Sequence, residues 1–199
     1  MEITLKKEDI VSALNITLGV VEKRQTLPIL ANILFEVDEK SFKLTATDLE
    51  SEVTTSGSLL SIESSGKLTT SAKKLNELCR LIPDGEEINF SLKSDKLNIK
   101  TINGKYSLST LPSSEFPIFD IDSGDTPLVI PAKDLQELIK NTSFAMGNQD
   151  WRHYLNGLFI SISDGQITAV STDAHRLALA NIPINSDHSF SGIIPRKSI

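Results

Sequence analysis

Hydrophobic and polar positions alternate between two periods along this chain. Residues 2–6 (EITLK) alternate and predict a short strand. Ile10, Leu14, Leu18 and Val21 then fall at spacings of 4, 4 and 3, which puts them on one stripe of a helix. Gly19 weakens the last turn of that helix, and Pro28 closes the loop that follows it. Residues 33–37 and 42–47 predict a hairpin around 38–41, and 52–58 and 66–71 predict two further strands. A second helix is expected over 72–82, burying Leu75, Leu78, Cys79 and Ile82. After the turn at Pro83-Asp84-Gly85 come strands 88–92 and 97–101, with Ser94-Asp95 between them. Asn103-Gly104 then turns the chain into 106–110. A third helix, 132–144, is expected to bury Leu135, Leu138, Ile139 and Phe144. Strand, helix and several strands in sequence predict an α+β fold, with antiparallel sheets carrying helices on one face.

The pattern occurs twice. Residues 6–14 resemble 131–139, 29–37 resemble 154–162, 43–50 resemble 168–175, and 69–75 resemble 193–199. In the second of these pairs, Asn32, Leu34 and Phe35 match Asn156, Leu158 and Phe159, an offset of 156 − 32 = 124. In the third, Thr47 and Asp48 match Thr172 and Asp173, an offset of 125. The repeat predicts a first domain over 1–120, a linker over 121–127 with an acidic centre at 120–125, and a second domain over 128–199. The first copy runs on for some 45 residues beyond Leu75 (120 − 75), whereas the second stops level with it. The second domain is therefore expected to be incomplete at its C-terminal end.

Composition narrows the class. The chain has 199 residues, 39% apolar and 23% charged, which suits a globular protein and excludes a disordered one. One Cys excludes a disulfide framework, and no run of about 18 apolar residues is long enough to span a membrane. The first ten residues lack the apolar core of a secretory signal, so a cytoplasmic location is expected. A net charge of −6 argues against nucleic-acid binding unless the cations are gathered locally. They cluster at helix ends: Lys23 and Arg24, Lys73 and Lys74, Lys133 and Lys140, Arg196 and Lys197. Such clusters suit either a phosphate-facing surface or ordinary solvated helix faces.

Two groups of residues invite chemistry. Ser171, Asp173 and His175 lie within five positions, which admits a small hydrolase. Triads, however, normally gather their members from separate elements, and no GxSxG elbow is present. His153 and His175 with Asp173 lack any metal-ligand spacing, so no metal and no cofactor is expected. There is no phosphate-binding glycine loop. Cys79 sits on an apolar stripe and reads as a buried thiol. Residues 149–154 (QDWRHY) combine the only Trp and one Tyr with Arg152 and His153. That mixture suits stacking on bases beside phosphate contacts, or equally a loop whose rings anchor it to the core.

At 24–30 (RQTLPIL) the sequence resembles the bacterial DNA polymerase III beta subunit, the sliding-clamp family. The resemblance continues through 44–49 (LTATDL), 106–112 (YSLSTLP), 115–117 (EFP), 154–157 (YLNG), 171–177 (STDAHRL) and 194–197 (IPRK), in order along the whole chain. It implies three copies of one domain per full-length chain and two chains closed head to tail in a ring around double-stranded DNA. No catalysis of its own is implied. The expected role is that of a processivity factor, an accessory of the DNA-directed DNA polymerase (nucleotidyltransferase) holoenzyme. Its implied partners are the replicative polymerase's catalytic subunit, the clamp loader and other clamp-binding-motif proteins, with no membrane. By position, the resemblance implies DNA contacts at Arg24, Lys73, Gln149, His153 and Tyr154. It implies a partner-peptide groove at Leu155, Thr172, His175, Arg176 and Leu177, whose opposite wall would come from residues beyond 199. His153 replaces a common Tyr, Lys73 a frequent Arg, and Ala174 a common Gly. A peptide-binding module without a DNA role remains the other alternative to the clamp.

Overall fold

The computed structural model describes residues 1–21, 27–119, 128–186 and 189–199. The chain divides into two compact units, Met1–Asp120 and Ile121–Ile199. The expected linker, 121–127, lies outside the described residues, as do Lys23 and Arg24.

The first unit contains β1 (Glu2–Lys6), α1 (Lys7–Thr17), β2 (Asn32–Val37), β3 (Ser41–Thr47), β4 (Glu52–Ser58), β5 (Ser61–Ser64), β6 (Gly66–Ser71), α2 (Ala72–Leu81), β7 (Glu87–Lys93), β8 (Lys96–Lys100) and β9 (Lys105–Leu111). Its described strands form one antiparallel sheet in the order β4-β3-β2-β6-β9-β8-β7-β1-β5. The two halves meet where β6 pairs β9 through only Thr69↔Leu111 and Thr70↔Thr110. Phe35 on β2 meets Phe42 on β3 and Phe90 on β7 edge-on, each with ring centroids 5.7 Å apart. β2 and β7 are four places apart in the sheet, about 19 Å if it were flat. The sheet therefore bends until both halves face one core. Ile10 and Leu14 of α1 and Leu75 and Cys79 of α2 join that core, so both helices lie on its side.

The second unit contains α3 (Ala132–Thr142), β10 (Gly157–Ser163), β11 (Gln166–Thr172), β12 (Leu177–Pro183) and β13 (Phe190–Pro195). Its described sheet runs β12-β11-β10-β13, the order of β4-β3-β2-β6 repeated. The repeat extends to single atoms. In the first unit Thr47 Oγ1 accepts from Leu49 N and donates to Ser51 O, while Asp48 Oδ1 accepts from the amides of Glu50 and Ser51. In the second, Thr172 and Asp173 make the same four bonds around Ala174. Leu49 and Ala174 both stand at φ 73°.

The register corrects one part of the repeat. Leu34 pairs with Thr45, and Phe159 pairs with Val170. The hairpins therefore superpose at an offset of 159 − 34 = 125, not 124. A slip of one residue exchanges the two faces of a strand. At 125, the fully buried Ile33 corresponds to the fully buried Leu158.

Helices α1 and α3 end earlier than their stripes suggest. Thr17 Oγ1 donates to Ala13 O and Thr142 Oγ1 to Leu138 O, each a buried hydroxyl turned back onto its own helix. Leu18 and Val21 still pack on the core from beyond the helix, but Phe144 is 60% exposed rather than buried. Strand β5 carries no alternating signal, only Ile62 among serines and a glutamate.

Candidate nucleic-acid and peptide interfaces

The expected site residues fall into separate groups in the two units. In the first unit Ser71 caps α2 by accepting from Lys74 N, and Lys73 and Lys74 occupy the first turn with no acid in that turn. Lysines there oppose the helix dipole and cost stability. α1 by contrast opens with Glu8 and Asp9. Among the described residues Lys73 pairs with Glu77, at 3.8 Å, with both side chains exposed. Arg80 Nη2 donates to Asn15 Oδ1 at 2.8 Å and ties α2 to α1. The expected gathering of cations holds for α2, with three against one acid. Lys133 and Lys140 do stand at the two ends of α3, but Asp134 and Glu137 balance them. Arg196 also turns inward, donating to the carbonyls of Met146 and Gly147. Arg24 lies outside the described residues.

The loop before β10 is tied down at its base. Asn156 grips Asp150 on both sides, accepting from its amide at 2.9 Å and donating to its carbonyl at 2.7 Å. Gly147 N donates to Leu155 O at 2.8 Å. Arg152 forks onto the Asp150 carboxylate through Nε and Nη2, both at 3.0 Å, and its guanidinium lies 5.7 Å from the Trp151 ring centre. Those bonds hold the Asp150 carboxyl down at about 2. Arg152 is thereby committed to the loop rather than offered to phosphate. The anchor is Leu155, which is buried. Trp151 is 83% exposed, Tyr154 62%, and Gln149 and His153 are exposed beside them. Of the two sequence readings, rings that pin the loop to the core are thus excluded.

A further group in the second unit surrounds the turn after β11. Thr172, His175, Arg176 and Leu177 fall together by adjacency, with Leu177 63% exposed at the start of β12. Phe144 joins them, because the Arg176 guanidinium lies 5.9 Å from its ring centre. The helical stripe had assigned Phe144 inward, so sequence reading missed this neighbour.

The same geometry removes the hydrolase. Ser171 is buried, and its hydroxyl donates to the Thr142 carbonyl. Asp173 accepts from the amides of His175 and Arg176 and from Arg176 Nε. These bonds, the two amides first, hold its carboxyl below the ordinary range. Asp173 shapes a turn and orients no imidazole toward Ser171. Cys79 is buried, and desolvation pushes its thiol up to about 12. Among the described residues no cluster of three His, Cys, Asp or Glu side chains could hold a metal ion, and no helix is long and apolar enough to cross a membrane.

Comparison with known proteins places both units. Residues 1–120 match the family model "DNA polymerase III beta subunit, N-terminal domain", and residues 129–199 match the corresponding central-domain model. The Beta sliding clamp of Pseudomonas putida is 38% identical over 201 residues, covering all of this chain and 55% of that protein. A crystal structure of the Pseudomonas aeruginosa DnaN sliding clamp bound to griselimycin superposes with a TM-score of 0.91 at 36% identity. That match covers 99% of this chain and 54% of the other. Caulobacter crescentus pol III beta gives 0.92 at 33% identity, covering 100% and 55%. The chain thus spans about half the length of the relatives it matches.

Proposed function

The chain belongs to the DNA polymerase III beta-subunit family, and from that premise we propose that it is the first domain and part of the second domain of a DNA sliding clamp. The proposed protein encircles duplex DNA as a head-to-tail homodimeric ring and tethers the replicative polymerase to its template. It is a non-catalytic accessory of the polymerase holoenzyme in the bacterial cytoplasm, loaded by a clamp loader and shared with other clamp-binding proteins. Domain one covers 1–120 and the linker 121–127. Domain two begins at 128, and the ring closes through further domain copies in the longer protein.

The observation that carries this reading is the pair Lys73 and Lys74 in the first turn of α2, which holds no acid. A folded domain sustains that local cost when the field has a use. A phosphate backbone supplies one, and contacts to phosphate alone position a protein without reading sequence, so the protein can slide. Arg24 and Lys73 serve as phosphate contacts. Gln149, His153 and Tyr154, offered outward from a braced loop, touch the backbone or stack on unpaired bases at a primer end. Leu155, Thr172, His175, Arg176 and Leu177 form one wall of the client-peptide groove. Leu177 supplies the exposed apolar surface, and Arg176, held by Asp173 through Nε, lines the edge. The griselimycin-bound relative supports a ligand site in this family.

The test is the salt dependence of duplex binding by the full-length protein on several unrelated sequences. A steep slope, equal for all of them, is expected. Sequence-dependent affinity with a flat slope would overturn the phosphate assignment.

A further inference from the structure

The first unit has a cleft of its own, of about 520 Å³, whose lining lies wholly within that unit. Leu27, Pro28, Ile29, Leu49, Leu111 and Pro117 give it an apolar lining. Leu49 is 48% exposed and stands at φ 73°, a conformation a leucine rarely adopts. The bonds of Thr47 and Asp48 hold it there, so the wall is built into the fold rather than induced. One charged residue lines the cleft, Glu115, and Glu50 follows Leu49 in the turn. No cation lines it among the described residues.

The repeat sharpens the comparison. The turn that presents Leu49 has the same backbone as the turn carrying Ala174, His175 and Arg176. One copy offers Leu49 and Glu50, the other Ala174 and His175, with Arg176 next in line. The backbone is the same while the charge it offers differs: Glu50 adds to Asp48 in the first copy, whereas Arg176 is paired with Asp173 in the second, and such a difference separates partners by charge. The volume lies within the range of about 300–1,000 Å³ found for ligand pockets.

We propose that the cleft bounded by Leu27, Leu49 and Leu111 is a second peptide-docking site. Its occupant is an extended partner segment that carries neighbouring apolar side chains and a basic side chain facing Glu115. The apolar residues fill the cleft, and the cation meets the acidic rim. This site does not depend on the groove assigned to the second unit.

The probes are two peptides, acetyl-Ile-Arg-Ile-Phe amide and acetyl-Ile-Glu-Ile-Phe amide, titrated into the 199-residue chain with leucine methyl resonances as the readout. The Arg peptide is expected to shift the methyls of Leu49 and Leu111 and to bind about two- to fivefold more tightly than the Glu peptide. Leu49→Asn keeps the left-handed turn while removing about 60 Å² of apolar wall, and weakens the Arg peptide about tenfold. Glu115→Gln brings the two peptides close to equal affinity. Equal affinities for the unsubstituted chain, shifts confined to Leu177, or no shift at Leu49 would each overturn the proposal. A failure of the second-unit groove would be read separately, from Leu177 alone.

Discussion

Asn156→Ala removes two hydrogen bonds and no charge, which makes it a clean test of whether the loop at 149–155 functions as a braced platform. The Asn156 side chain accepts from the Asp150 amide at 2.9 Å and donates to its carbonyl at 2.7 Å. Each such bond contributes about 0.5–1.5 kcal/mol net, so losing both should cost about 1–3 kcal/mol of local stability. The Asp150–Arg152 fork remains, because it lies within the loop and does not attach it to β10. Amide exchange at Asp150 should therefore accelerate about 5- to 150-fold. Exchange in the first unit should stay unchanged. In the full-length protein, DNA affinity should fall while the salt slope is preserved, since no phosphate contact is lost. Unchanged exchange at Asp150 would refute the bracing argument. A flattened slope would refute the separation of positioning from charge.

Four further outcomes rest on the same structure. Lys73→Ala should lower the salt slope of duplex binding by about one without creating sequence preference, read from titrations at several salt concentrations. Lys74→Glu should weaken DNA binding yet raise the first unit's stability by about 0.3–1 kcal/mol, measured by urea unfolding, because an acid suits a helix start. Phe35→Ala should cost about 3–5 kcal/mol in the same assay, since that ring joins both halves of the bent sheet. The Asp150 carboxyl is held down at about 2, so its stabilising contribution is present above the ordinary carboxylate range and is lost as pH falls toward 2. Fluorescence of the single tryptophan, beside Arg152, should stay constant from pH 7 to about 4 and change only below that.

Much of the fold is legible because its periodicities are long. The stripes of α1 and α2, the alternation of β7 and β8, and the repeat of Thr47-Asp48 in Thr172-Asp173 each rest on several residues. What escapes is what depends on one atom or on distant neighbours. Thr17 and Thr142 end their helices through a side-chain bond that no periodicity encodes, and Phe144 is thereby freed to meet Arg176. The hairpin match at 29–37 slips by one because Leu-Phe occurs in both copies, while strand pairing decides which residue faces inward. The aromatic loop was readable as chemistry but not as orientation, since only Asn156 and Leu155 determine which side is anchored. Ser171, Asp173 and His175 show the converse error. Proximity in sequence suggested a triad, whereas strand alternation and turn geometry send the three side chains to different tasks.

The central proposal is topological: the full-length protein is proposed to hold DNA by encircling it. The decisive measurement is retention of the loaded protein on closed circular duplex, followed by linearisation with one cut, at a salt concentration that abolishes simple electrostatic binding. The account predicts stable retention on the circle and rapid release from the open ends. Equal loss from both forms would contradict it.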